Sequence, residues 1–213
     1  MSDFEKEYFA ENYHGDYLSH NPQRKIKAYY QRILAIITHG TLLDVGCGTG
    51  VYLQHAKQYF QIAGTDISEY AINEAKKTLP EARLLAINFL AYPEEKHFDV
   101  ITCFDVLEHI PQLDEAFQKL KRLLTPDGYL AITVPVYDTF VGKIVMALDR
   151  DPTHVHKRER DFWLDKLKEH GFEIVYHEGL FRKLFGKIYI LFFTRLLKRC
   201  SPAIFLIARL NKS

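Results

Sequence analysis

The stretch that most restricts how this chain can fold is residues 42–50, L-L-D-V-G-C-G-T-G. Its apolar start, with Asp44 on it, reads as a buried strand running to its carboxyl end. Gly46, Cys47, Gly48, Thr49 and Gly50 then read as a turn into a helix. Glycines let the main chain take φ > 0 and let a ligand come close to the backbone, and the helix that follows presents unpaired N–H groups. Such a turn suits a nucleotide-like cofactor better than a packing role.

The segments on either side alternate between helical and strand patterns. Pro22 opens a helix through Ile37, with Ile26, Tyr29, Tyr30, Ile33, Leu34 and Ile37 at helical spacing. Residues 51–60 read as a crossover helix and 61–67 as a second strand carrying Asp66. Ser68 is placed as an N-cap for a helix over 70–79, and a third strand covers 82–87. Residues 98–104 form a fourth strand, Pro111 opens a helix to Leu124, and a T-P-D-G turn precedes a fifth strand over 129–134. Strands alternating with helices imply a parallel sheet covered on both faces, with ligands beyond the carboxyl ends of its strands. Later, 135–158 reads as a long loop, 159–170 as a helix, 172–177 as a sixth strand and 203–210 as a last one.

With 213 residues, 47% hydrophobic and 26% charged, the chain is expected to form one domain with a real core. Three widely spaced cysteines fit a reducing cytoplasm better than a disulfide framework, and the acidic, polar first 16 residues do not read as a signal peptide. A net charge of +1 argues against general nucleic-acid binding. It is unevenly spread: residues 180–213 hold eight Lys/Arg and no acid, leaving a net of −7 on residues 1–179. That tail suggests an anionic surface as partner.

Dinucleotide dehydrogenases also follow a first strand with a glycine turn and place an acid about 20 residues on. Their G-x-G-x-x-G spacing differs from G-C-G-T-G, and Asp44 would repel a pyrophosphate while favouring a positively charged cofactor. Together, D-V-G-C-G-T-G, G-T-D-I-S, F-D-V-I-T-C-F-D-V-L-E-H-I and L-T-P-D-G-Y-L resemble the motifs of class I S-adenosylmethionine-dependent methyltransferases, of the ubiquinone-pathway or type 11 kind. The resemblance runs from about residue 42 to 134. It implies a Rossmann-like three-layer α/β sandwich with a mostly parallel seven-stranded sheet and an antiparallel last strand. It divides the single domain into a helical cap (1–40), a cofactor-binding core (41–134), an acceptor-side region (135–179), a basic apolar insertion (180–200) and the last strand. It further implies that Asp44 with Gly46, Cys47, Gly48 and Gly50 holds the methionine end of S-adenosylmethionine and Asp66 with Ile67 the ribose. Asn88 and Phe89 would take the adenine, with Phe104 also in contact. Asn88 stands where an aspartate is usual, and its carbonyl can accept from the adenine amino group.

Methyl transfer from a sulfonium needs an aligned acceptor and one base, for which His109, His154 and His156 are the candidates, with His14 a further one. Asp105, Glu108 and His109 form D-x-x-E-H, which resembles the E-x-x-E-H metal motif of ubiquinone-pathway and small-RNA methyltransferases. Carboxylates and an imidazole at that spacing share one face if the segment is helical, and His154 or His156 could complete a shell. The expectation adopted is no metal, with Glu108 and His109 shaping the acceptor pocket. The aromatic segment 4–18 reads as a helix on the domain edge or a flap over the site. Residues 180–200 read either as a segment lying in an anionic membrane interface or as a packed helix or dimer contact, residues 188–193 being too few to span a bilayer. The chain is therefore expected to be a methyltransferase acting on an oxygen of a small or lipid-linked acceptor, cytoplasmic with peripheral membrane contact. Its rivals are a nicotinamide oxidoreductase and a cofactor-holding membrane protein without turnover.

Overall fold

The computed structural model describes residues 21–95, 97–148, 153–185 and 188–211. The aromatic segment 4–18 with His14 lies outside the described residues.

Helix α1 (Gln23–Leu34) follows Pro22, whose fixed φ of −65 suits a helix start. Then come β1 (Gly40–Val45), α2 (Val51–Ala56), β2 (Phe60–Asp66), α3 (Glu69–Thr78), β3 (Arg83–Ala86), β4 (Phe98–Phe104), α4 (Leu113–Leu123) and β5 (Leu124–Pro135). Ser68 caps α3 as expected, its side chain accepting a hydrogen bond from Ala71 N at 3.1 Å. Helices α5 (Phe140–Leu148) and α6 (Arg160–Glu169) lead to β6 (Phe172–Phe185), β7 (Ile188–Thr194) and β8 (Ala203–Leu210). The strand order is β3-β2-β1-β4-β5-β8-β6-β7. Strands β1 to β5 pair in parallel, and β8 pairs antiparallel with both β5 and β6.

Adjacent residues of each central strand serve opposite faces, as the pleat requires. Leu43, Ile101 and Ile132 pack with Phe117 and Leu120 of α4 and Trp163 and Leu167 of α6. Leu42, Val100 and Ala131 pack on the other side with Ile26, Tyr29 and Ile33 of α1, Leu53 of α2 and Ile72 of α3. Both faces are thus covered, which is what a parallel sheet needs to keep its apolar strands dry.

Two expectations are corrected. The 135–158 stretch contains helix α5 rather than only loop. The sheet has eight strands rather than seven, because the 180–200 stretch adds strand β7 instead of forming a packed helix. β6 runs on past His177 to Phe185 and pairs antiparallel with β7, in register from Gly179↔Thr194 to Phe185↔Ile188. A short apolar run carries no periodicity to separate helix from strand. Among the described residues no helix is long and apolar enough to cross a membrane.

Candidate active site

The strand order reverses between β1 and β4, and the glycine turn sits there, beyond the carboxyl end of β1. Gly46 takes φ 71, and a Cβ on it would lie 2.3 Å from Val106 Cγ2, so no other residue fits. The turn is fastened to β2, because the N–H groups of Gly46 and Cys47 both donate to Thr65 O, at 2.8 and 3.1 Å. Asp66, at the end of β2, accepts from Gly48 N at 2.8 Å and Ser68 N at 2.9 Å, which holds its carboxylate still beside the turn.

Asp44 is 2% exposed, and register pairing sets it beside Thr102, whose hydroxyl donates to it at 2.6 Å. Burial pushes its carboxyl up to about 7, and Asp66 adds to the rise while the Thr102 hydrogen bond opposes it. A carboxylate so placed gains from any cation brought against it.

A cavity of about 460 Å³ opens along this wall. Asp44, Gly46, Gly48, Asp66, Ile67, Asn88, Phe89 and Phe104, all among the residues that the resemblance assigns to the cofactor, line it. Cys47 and Gly50 do not. Cys47 is buried beneath the turn, and Gly50 is the left-handed N-cap of α2, where a Cβ would meet Leu79 and Ala75 at 3.0 and 3.1 Å. These two residues shape the turn rather than face the cavity. Asn88 lines the cavity, but its side-chain oxygen already accepts from Leu90 N at 2.9 Å, capping the short helical turn Phe89–Ala91.

The three histidines part company. Only His109 of the three lines the cavity. Val155 N and His156 N both donate to Glu108 O, at 3.1 and 3.0 Å, which ties the 153–156 segment to the turn Leu107–His109. That brings Thr153 Oγ1 to 2.9 Å from His109 Nδ1 and sets the His154 ring 4.6 Å from the His109 ring. His156 turns away: its Nε2 meets Ile110 O at 2.9 Å and its ring packs by Phe162 and Trp163. One ligand atom each from Glu108, His109 and His154 lies within 4.8 Å of the others. Asp105 is outside that set. It adopts φ 58, and its two oxygens accept from the guanidinium of Arg182 on β6 and from Thr133 Oγ1. D-x-x-E-H therefore does not present one ligating face here, since only Leu107–His109 is helical.

The far side of the cavity holds residues that sequence reasoning missed: Asn21, Lys25, Tyr52, Arg182 and Tyr189. Lys25 stands four residues before Tyr29, on the buried stripe of α1, and a lysine in such a stripe was the available signal. Burial and the nearby Arg182 bring its ammonium down to about 7, with Asp105 acting the other way.

Residues 17–177 match the family described as a methyltransferase domain. The chain belongs to that family. Among curated proteins it is similar to ubiquinone biosynthesis O-methyltransferases, 30% identical over 109 residues to that of Nitrosomonas europaea and 37% over 101 residues to that of Actinobacillus pleuropneumoniae. These matches cover 48% and 42% of this chain and 46% and 43% of the relatives, so the chain spans less than half the length of these two relatives. In fold it resembles S-adenosylmethionine-dependent methyltransferases of Thermotoga maritima (TM-score 0.73, 17% identity, 96% and 98% of the two chains) and Clostridium acetobutylicum (TM-score 0.69, 15% identity, 97% of each). The cofactor of this methyltransferase domain is S-adenosylmethionine, and the wall fits it: a buried carboxylate for the cationic methionine end, a glycine turn for close approach and a fixed carboxylate for ribose hydroxyls.

Proposed function

We propose that this methyltransferase moves the methyl group of S-adenosylmethionine to an oxygen of a small or lipid-linked acceptor. The observation that carries this reading is one cavity that joins the Asp44–Asp66 wall to His109 and to an aromatic wall of Tyr52, Phe104 and Tyr189. When bound, the cofactor supplies a methyl group that an oxygen nucleophile can displace in line from sulfur. Asp44 and Asp66 orient it, and the aromatic wall holds the acceptor and keeps water off. His109 accepts the proton the hydroxyl loses as the O–CH3 bond forms and the S–CH3 bond breaks, then returns that proton to solvent. Similarity to ubiquinone biosynthesis O-methyltransferases supports oxygen over nitrogen or carbon.

A second reading is favoured by the Glu108, His109 and His154 grouping, whose mixed oxygen and nitrogen donors suit a divalent cation. The metal-free reading is preferred because Asp105, the first member of the motif, is committed to Arg182. Peripheral contact with an anionic membrane remains part of the proposal. Its support is the exposed Ile190 and Phe192 of β7 and Leu196 and Leu197 beyond it, next to Arg195, Lys198 and Arg199.

The test is incubation of the protein with methyl-labelled cofactor and fractionated small-molecule and lipid extracts. Label on a hydroxyl-bearing small molecule or lipid is expected. Tight cofactor binding without incorporation, or label on RNA or protein alone, would overturn the reading.

A further inference from the structure

Helix α5 stands on the surface with its apolar side chains outward. Phe140 is 80% exposed, Val141, Ile144 and Met146 are exposed too, and Lys143 is the one charged residue of the helix. Of the α5 residues whose burial is described, only Gly142 is buried. A Cβ there would lie 2.6 Å from Val136 O and 3.0 Å from Tyr137 Cα, so the glycine lets the helix rest directly on the backbone that leaves β5. At 3.6 residues per turn the exposed positions Phe140, Val141, Ile144, Met146 and Ala147 spread over more than half of the helix circumference. A protein groove covers one stripe of a helix, whereas the boundary between headgroups and acyl chains covers a broad apolar arc.

A second apolar group lies next to it. α5 packs near the short turn Lys198–Cys200, and the exposed Leu196 and Leu197 lead into that turn. The cations on α5 and on 196–200 are Lys143, Lys198 and Arg199, and neither segment carries an acid. Asp138, just before α5, is paired with Arg160 at 3.3 Å. Two copies meeting through this face would set the same cations against each other, which disfavours a second chain as the occupant, while an anionic surface gains from them.

We propose that α5 seats in the headgroup region of an anionic bilayer, with Phe140 and Ile144 turned into it and Leu196 and Leu197 beside it. This deepens the peripheral contact proposed above and rests on it, but places the anchor on α5 rather than on β7. Tyr137 N donates to Arg158 O at 3.2 Å, so the chain between them leaves and rejoins the domain at one point. On that excursion α5 is followed by Thr153, whose hydroxyl meets His109 Nδ1. Leu148, the last residue of α5, and Thr153 are five residues apart, a span of at most about 18 Å. A bilayer seated on α5 is thereby brought close to the His109 end of the cavity.

The test uses the full chain carrying Phe140→Trp, with the fully buried Trp163 as a constant background, and vesicles of phosphatidylcholine alone or mixed with phosphatidylglycerol. With the mixed vesicles at low salt the added emission should move to the blue and be quenched by lipids brominated near the headgroup end of their chains. Neutral vesicles should bind roughly tenfold or more weakly. Phe140→Ser/Ile144→Ser, with an unchanged circular-dichroism spectrum, should sediment with the mixed vesicles roughly tenfold or more weakly than the unaltered chain. A Phe140→Trp chain that sediments with mixed vesicles yet keeps its emission and escapes quenching would overturn the proposal, leaving membrane contact to another face, whatever the serine variant does. A concentration-dependent dimer abolished by the serine variant, without vesicle binding, would overturn it in favour of a second copy. Absence of sedimentation with either vesicle would overturn it together with the membrane contact, while the methyl-transfer reading would stand.

Discussion

Arg182 grips both carboxylate oxygens of Asp105, joining the end of β4 to a strand 77 residues away. The same guanidinium donates to Tyr29 OH at 3.0 Å, so α1, the β4 end and the β6–β7 hairpin meet at one side chain. Arg182→Met would leave Asp105 in a partly buried site without its main partner. Because both side chains keep some contact with solvent, the expected loss is about 1–3 kcal/mol rather than the larger figure for a fully buried pair. Denaturant melts of the single variants and of Asp105→Asn/Arg182→Met should show the double variant recovering part of that loss.

Asp44 should cost the cofactor-free protein stability near neutral pH. Its carboxyl, at about 7 in the fold, lies above its ordinary value of 3.8. Stability from this group is therefore greatest at low pH and falls as pH rises from about 4 through 7. Asp44→Asn should stabilise the cofactor-free protein at pH 8 by about 2–4 kcal/mol, with the gain shrinking towards pH 4. The same variant should lose most of its affinity for S-adenosylmethionine. Urea melts at several pH values and a cofactor titration check the two halves, and a variant no more stable at pH 8 would count against the buried-charge account.

His109 and His156 should separate function from packing. His109→Gln should lower kcat by roughly 100-fold or more with cofactor affinity unchanged, the usual scale for losing a general base. His156→Ala should instead lower the melting temperature, because it removes a ring packed by Phe162 and Trp163, while kcat stays within about threefold.

Chelation distinguishes the two readings of the Glu108, His109 and His154 grouping. Full activity after EDTA treatment and gel filtration is expected. Loss of activity restored by Mg²⁺, Mn²⁺ or Zn²⁺ would establish the cation instead.

The membrane proposal predicts that Leu196→Ser/Leu197→Ser reduces sedimentation with phosphatidylglycerol vesicles while leaving the fold intact. Leu196 is 96% exposed, so the protein interior loses little. Binding should weaken as salt rises, since Arg195, Lys198 and Arg199 contribute through screened charge.

The glycine-turn side of the cavity could be read from sequence because its signals are local. Gly46 announces its own left-handed backbone, Asp66 stands at a strand end, and Ser68 caps the helix that follows. The side of the cavity that holds Arg182 and Tyr189 depends on contacts between residues far apart in the chain. Arg182 and Tyr189 come from a basic apolar stretch whose composition suggested a membrane, and only the pairing of β6 with β7 and β8 turns it into a wall of the cavity. His154 and His156 are set in different places by the two backbone hydrogen bonds that tie Val155 and His156 to Glu108 O, which no spacing rule reveals.

The three thiols differ in a way that matters at the bench. Cys47 is buried beneath the glycine turn and Cys103 within β4, and burial, with Asp66 and Asp44 beside Cys47 and Asp44 and Glu108 beside Cys103, drives both thiols well above their ordinary range, so neither forms thiolate readily. Cys200 is exposed, on the short turn Lys198–Cys200 that packs near α5. A maleimide dye added to the native protein should therefore label one position without mutagenesis, and that position lies beside the surface proposed to meet lipid.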